Sequence, residues 1–144
     1  MSAREYPDRP LVAVGVAVLW QGAVLLIRRG RAPAAGVWSL PGGAQKLGET
    51  AEAAARRELA EETGVSVGTL HLAAVVDSIH CDAVGRILYH YTIIDYAAGF
   101  VSGTPRPGGD ATAARFVAME AVAGLGVSEA VLGVIERARK NVLF

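Results

Sequence analysis

Cysteine is almost missing from this chain: Cys81 stands alone among 144 residues, which excludes an intramolecular disulfide and suits a reducing cytoplasm. Net charge is missing as well. Fourteen basic residues offset fourteen acidic ones, so nothing in the balance advertises a nucleic-acid polymer or a membrane surface as partner, and any polyphosphate binding must be local. Histidine is scarce, and His71, His80 and His90 lack helical or paired metal-ligand spacing, so each is expected to be structural. No apolar run reaches membrane-spanning length. Leu11 to Ile27 is shorter than the roughly 20 residues a span requires, is broken by Gln21 and glycines, and follows an acidic, proline-containing stretch unlike the basic start of a signal peptide. A membrane-anchored protein is the weaker reading of that run, and recovery without detergent would exclude it.

What is present fits one domain over residues 1–144, long enough to bury a core, with residues 1–10 as a loose leader or edge segment. Val12, Val14, Val16 and Val18 alternate with smaller residues, Gln21-Gly22 supplies a turn, and Ala23 to Ile27 returns, so Leu11 to Arg29 reads as a β-hairpin. Its nearly continuous apolar character suggests strands covered on both faces, as in the middle layer of an α/β/α sandwich. Further strands are expected over Val67 to Ile79 and Arg86 to Tyr96. The acids Asp77, Asp82 and Asp95 are expected near strand ends or turns, in solvated or turn-forming roles. Ser102 to Gly109, SGTPRPGG, cannot hold regular structure and is a candidate lid. From Ser128 an N-capped helix carries an apolar stripe of Val131, Leu132, Ile135 and Ala138.

The stretch from Gly42 to Val65, GGAQKLGETAEAAARRELAEETGV, carries the chemistry. Thr50 is a fair N-cap, the helix should run to about Thr63, and Gly64 is a C′ glycine. Ala51, Ala54 and Ala55 are expected on the same face as the carboxylates, leaving room for a loop or substrate, with Leu59 toward the core and Glu52 paired to Arg56 on the wet side. Glu58, Glu61 and Glu62 fall at i, i+3 and i+4, an arc of about 100° on one face. They sit in the last turn, where the helix dipole and mutual repulsion both disfavour them. A bound cation resolves that cost, and oxygen donors without Cys or His beside them favour Mg²⁺ or Mn²⁺ over Zn²⁺. Because Mg²⁺ is usually shared between a few carboxylates and substrate phosphates, phosphate chemistry is indicated. A solvated acidic helix end is the bland alternative.

As spacing, the segment runs Gly43, five residues, Glu49, seven residues, Arg57-Glu58-Leu59, one residue, Glu61-Glu62, one residue, Gly64-Val65. Every fixed position of G-x5-E-x7-R-E-U-x-E-E-x-G-U, with U aliphatic, is matched, and the chain resembles the Nudix hydrolase superfamily. Trp38-Ser39-Leu40-Pro41 before the glycines, and Arg115-Phe116-Val117 near the end, extend the likeness. The resemblance implies a Nudix-type α/β/α sandwich with a mixed central sheet. It also implies a Mg²⁺-dependent pyrophosphohydrolase, with Mn²⁺ able to substitute, acting on a small-molecule nucleotide: a nucleoside diphosphate sugar such as ADP-ribose, or a (deoxy)nucleoside triphosphate. The Gly43 carbonyl, Glu58, Glu61 and Glu62 would be metal ligands. Glu58 and Glu61, together with a downstream acid, would be candidates for proton transfer, and Arg57 and Glu49 would orient them and balance charge. Arg29 at the end of the second strand would reach a substrate phosphate, and Asp110, with Glu120 as fallback, would approach the metal or the attacking water. Trp38 is expected in the core, although stacking on a base is the alternative. Lys46 stands where relatives commonly carry a glutamate, which bears on the loop and substrate preference rather than on the box. Marks of particular substrate subgroups are absent, and assembly into a homodimer stays open. A non-catalytic nucleotide-binding or sensor module is the competing class; it would be expected to have lost box carboxylates, and none is lost here.

Overall fold

The computed structural model describes residues 4–141. Its centre is the valine-rich segment read as a hairpin: β1 spans Leu11–Trp20 and β2 spans Ala23–Arg29, with the chain turning at Gln21 and Gly22, both at positive φ. β1 is apolar along its length because both of its faces are covered. Val14, Val16 and Val18 point into one core cluster, while Ala17 and Leu19 point into the other.

Short strands β3 (Trp38–Ser39) and β4 (Gly42–Ala44) pair with β2 and β1, respectively. Helix α1 (Ala51–Thr63) follows. The Thr50 hydroxyl accepts from the Ala53 N–H at its start, and Gly64 ends it at φ 72°. β5 (Ser66–Val67), β6 (His71–Cys81) and β7 (Ile87–Ser102) come next, then β8 (Ala111–Ala118), α2 (Met119–Val122), a 3₁₀ turn at Ala123–Leu125 and α3 (Glu129–Asn141). β1 runs parallel to β7, whereas every other pairing is antiparallel, so the eight-stranded sheet is mixed.

Two cores lie on opposite faces of this sheet, giving the expected α/β/α sandwich. Ala54, Ala55 and Leu59 of α1 pack on Val14, Val16, Val18, Leu25 and Ala98. On the other side Val134, Ile135 and Ala138 of α3 pack on Ala17, Leu26, Ala74 and Ala97. Among the described residues no helix is long and apolar enough to cross a membrane.

Several expectations change. The strand expected from Val67 to Ile79 divides into β5 and β6 around Gly68-Thr69, and β7 extends past Tyr96 to Ser102 because β1 and β5 both pair with its second half. Asp95 is therefore mid-strand and buried, neither terminal nor solvated. Ala54 and Ala55 face the sheet rather than an open approach path. Arg56 donates to the carbonyls of Val67 and Gly68, pinning β5 to α1, instead of pairing with Glu52. Within residues 4–10, Tyr6 is anchored: its N–H donates to the Leu88 carbonyl and its hydroxyl to Asp82. Residues 1–3 of the expected leader lie outside the described residues. The segment read as a lid is strapped to the end of α1, with Arg106 N–H on the Thr63 carbonyl and Gly108 N–H on the Glu62 carbonyl. Two terminal carbonyls of the helix thereby gain partners.

Candidate active site

Helical pitch places Glu58, Glu61 and Glu62 around one cleft at the C-terminal end of α1. The cleft, about 120 Å³, is also lined by Gly42, Gly43, Arg29, Arg31 and Asp110. The three acids differ in environment. Glu62 is 8% exposed, and its Oε1 accepts from the Gly42 N–H at 2.6 Å. Burial pushes its carboxyl up to about 7 against that hydrogen bond, helped by the negative charges of Glu58 and Asp110. Glu58 lies against Gly43 so closely that a side chain at residue 43 would displace its carboxylate from where Arg57 holds it. Glu61 is the open one, with a side chain 49% exposed.

Arg57 organises two of the acids and Glu49. Its Nε and Nη2 donate to Glu49 at 2.6 and 2.9 Å, and its Nη1 donates to Glu58 at 2.8 Å. Nη1 also contacts Glu61 at 3.3 Å, and Nη2 donates to the Ala44 carbonyl at 3.1 Å. A planar fork with five donors can satisfy partners on two sides at once, as an ammonium cannot. Glu49 is in turn fixed by the Lys46 N–H, and these hydrogen bonds, that from Arg57 foremost, hold its carboxyl down at about 2.

Arg29 lines the same cleft, with its Nε donating to the Pro33 carbonyl at 2.7 Å. Asp110 sits on the rim, 59% exposed and paired with Arg31 at 3.2 Å. Glu120 lies on α2, exposed, and is not among the residues lining either cavity. The carboxylates are not drawn together into a ready cation cage among the described residues. Their chemistry nevertheless fits a hard divalent ion: oxygen donors only, arranged beside the backbone of a glycine that leaves room for an approaching ligand.

The cleft adjoins a larger cavity of about 440 Å³. Arg4, Arg29, Gly42 and Gly43 line both, so the two are immediate neighbours. Trp38, half-buried, lines the larger one, and the Arg115 guanidinium lies 4.8 Å from the centre of its ring. The reading of Trp38 as a plain core residue is thus only partly met. Tyr91, Asp95 and Gly15 also line this cavity; the sequence alone gives none of them a site role and places Asp95 in a solvated or turn-forming one. The one available signal was glycine in the middle of a valine-rich strand, which often marks a close approach.

The NUDIX domain family profile matches residues 9–135. The chain belongs to the Nudix family. Among its relatives, the ADP-ribose pyrophosphatase of Methanocaldococcus jannaschii is 36% identical over 107 residues, 74% of this chain and 61% of that protein. The oxidized purine nucleoside triphosphate hydrolase of Danio rerio is 52% identical over 56 residues, 39% of this chain and 36% of that protein. The matches thus span less than two thirds of either relative. Among solved structures, the MutT NUDIX hydrolase from Burkholderia pseudomallei shares 34% identity and superposes with a TM-score of 0.77 over 90% of this chain and 98% of that one. The Nudix box coincides with β4, the following loop and α1, so its motif and the acid-lined cleft are one object.

Proposed function

We propose that this chain hydrolyses the phosphoric anhydride bond of a nucleoside diphosphate derivative, either a (deoxy)nucleoside triphosphate or a nucleoside diphosphate sugar of the ADP-ribose type. The observation that carries the reading is the pair of adjoining cavities. An acidic cleft beside two glycines adjoins a cavity within the size range of small-molecule sites, about 300–1,000 Å³. Nudix relatives that act on ADP-ribose and on purine nucleoside triphosphates support the same class.

Glu58, Glu61, Glu62 and the Gly43 carbonyl would hold Mg²⁺, or Mn²⁺ in its place, which supplies charge neutralisation at the phosphates and acidifies water. The chain's own part is positional. Arg57 holds Glu58 and Glu61 beside the cleft while Glu49 balances its charge, which limits how far these acids must move to meet a cation. Arg29, which lines both cleft and cavity, would meet a phosphate oxygen with its remaining donors, and Asp110 on the cleft's rim would approach the metal or the attacking water. Glu61, the most exposed of the trio and the least tightly held, is suited to take that water's proton.

A panel of nucleoside triphosphates and diphosphate conjugates, assayed for phosphate, pyrophosphate or monophosphate release with and without Mg²⁺, tests the proposal. Release that needs the divalent ion and disappears in Glu61→Gln is the expected result. Normal turnover in that variant and in Glu62→Gln would remove the metal assignment, and no release from any substrate would leave the binding-module reading.

A further inference from the structure

Asp95 is buried in the middle of β7, 6% exposed, and its carboxylate makes no hydrogen bond or ion pair among the described residues. An unpaired buried charge is costly, and burial alone pushes this group up to about 6. The neighbours do not relieve it. Opposite Asp95 stand Gly15 on β1 and Ala74 on β6, the two smallest residue types, and a methyl group at residue 15 would overlap Oδ1. The fold thus keeps space around an acid with which no protein group pairs and which lines the larger cavity.

A second polar group is stranded nearby. Among the described residues the Tyr91 hydroxyl is the one side-chain atom closed off from solvent without a partner, whereas the Asp95 carboxylate keeps solvent contact where it lines the cavity. Tyr91, Ile93 and Asp95 alternate along β7, share one face, and all line the 440 Å³ cavity together with Trp38. A carboxylate without a protein partner on a largely apolar cavity is what a ligand with complementary donors would complete, and the Tyr91 hydroxyl stands four residues along the same strand face.

The sheet register sets the distance to the acidic cleft. Gly42 pairs with Gly15, and Gly15 pairs with Asp95, so Asp95 lies two strand spacings, about 10 Å, from the glycine that bonds Glu62. With phosphates held by the metal and Arg29 beside Gly42 and Gly43, this is the region where the base of a nucleotide would lie.

We infer that Asp95 and Tyr91 select the base: the carboxylate accepts from two adjacent N–H donors of a guanine-type edge, and the tyrosine hydroxyl donates to an acceptor on the same ring system. The inference deepens the reading of the adjoining cavities as a nucleotide site. Guanine offers N1–H and its 2-amino group side by side, which a carboxylate can accept together. Adenine presents the unprotonated N1 to the same oxygens, lone pair against lone pair. Hypoxanthine, which lacks the 2-amino group, should fall between them. Trp38, with Arg115 over its ring, is the available stacking surface.

The test separates base recognition from turnover. Calorimetric titration of the wild-type chain with the deoxynucleoside monophosphates of guanine, hypoxanthine and adenine requires no hydrolysis. Guanine should bind at least about tenfold tighter than adenine, the loss expected when a charged acceptor is left unpaired. In Asp95→Asn the ratio should collapse to within about threefold, because an amide can pair with either edge. Tyr91→Phe should weaken guanine binding without reversing the order. Thermal melting of each variant checks that it is folded. Equal wild-type affinities for guanine and adenine, or a ratio unchanged by Asp95→Asn in a folded variant, overturn the inference whatever the turnover assays show. Discrimination without hydrolysis would overturn the activity and leave base selection standing.

Discussion

Glu62 Oε1 accepts a 2.6 Å hydrogen bond from the backbone N–H of Gly42, so the last turn of α1 is tied to the strand that carries the paired glycines. One oxygen of this acid is thereby engaged with the backbone, and the second accepts no hydrogen bond among the described residues.

That division predicts the behaviour of Glu62→Gln. An amide oxygen can still accept from Gly42, so the melting temperature should stay within about 3 °C, whereas hydrolysis should fall by about 100-fold or more. Thermal shifts with Mg²⁺ and a slowly hydrolysed nucleotide read the cause directly. The wild type should gain stability with both present, and the variant should gain little. An equal gain would contradict the role given to this acid.

Arg57→Lys should be worse than its chemistry suggests. Lysine cannot reach Glu49, Glu58, Glu61 and the Ala44 carbonyl together, so the expected loss is about 1–3 kcal/mol of stability, with activity down about 10–100-fold. Chemical denaturation and steady-state kinetics on the same preparation check both numbers.

Two acids give opposite pH signatures. Glu49 titrates lower in the fold, near 2, than its usual value of about 4.3, so its stabilisation is fully present above the higher value and is lost as pH falls toward 2. Glu49→Gln should therefore be less stable than wild type at pH 6 and indistinguishable from it below pH 2. Asp95 is raised to about 6, so its fold binds the extra proton, and stability declines as pH rises from about 4 through 6. Asp95→Asn should stabilise the unliganded protein at pH 7.5, by on the order of 2 kcal/mol, and make no difference at pH 3.5. Denaturation midpoints across that range decide both signs.

Ala55→Leu distinguishes the buried face of α1 from an open one. Ala55 is fully buried against the sheet, so extra volume should cost about 1–3 kcal/mol through overpacking. If the face were an approach path, stability would be unchanged and substrate affinity would fall. Melting temperature together with KM tells these apart.

Much of the molecule was legible before any coordinates. The span and both caps of α1, the Leu11 to Arg29 hairpin and the N-cap at Ser128 rest on short-range rules of helical pitch, strand alternation and turn chemistry, and the structure repeats them. The box spacing brought its three acids to one cleft for the same reason, since i, i+3 and i+4 leave little freedom once the helix forms. The partners of those acids were less visible. That Arg56 would turn to Val67 and Gly68, or that Ala54 and Ala55 would lie under the sheet, depends on which side of the helix meets β1, and an alanine-rich helix marks its faces weakly.

The amino-acid order alone settled the family, the acidic helix end and the strand that precedes it, because each is written in neighbouring residues. Only the folded chain decided that Asp95 is buried beside Gly15 and Ala74, that Tyr91 shares its cavity, and that residues 103–108 are strapped to α1. Those outcomes come from pairing between distant strands. A register shift of one residue would turn each side chain of β7 to the opposite face, and nothing within a few residues of Asp95 specifies that register.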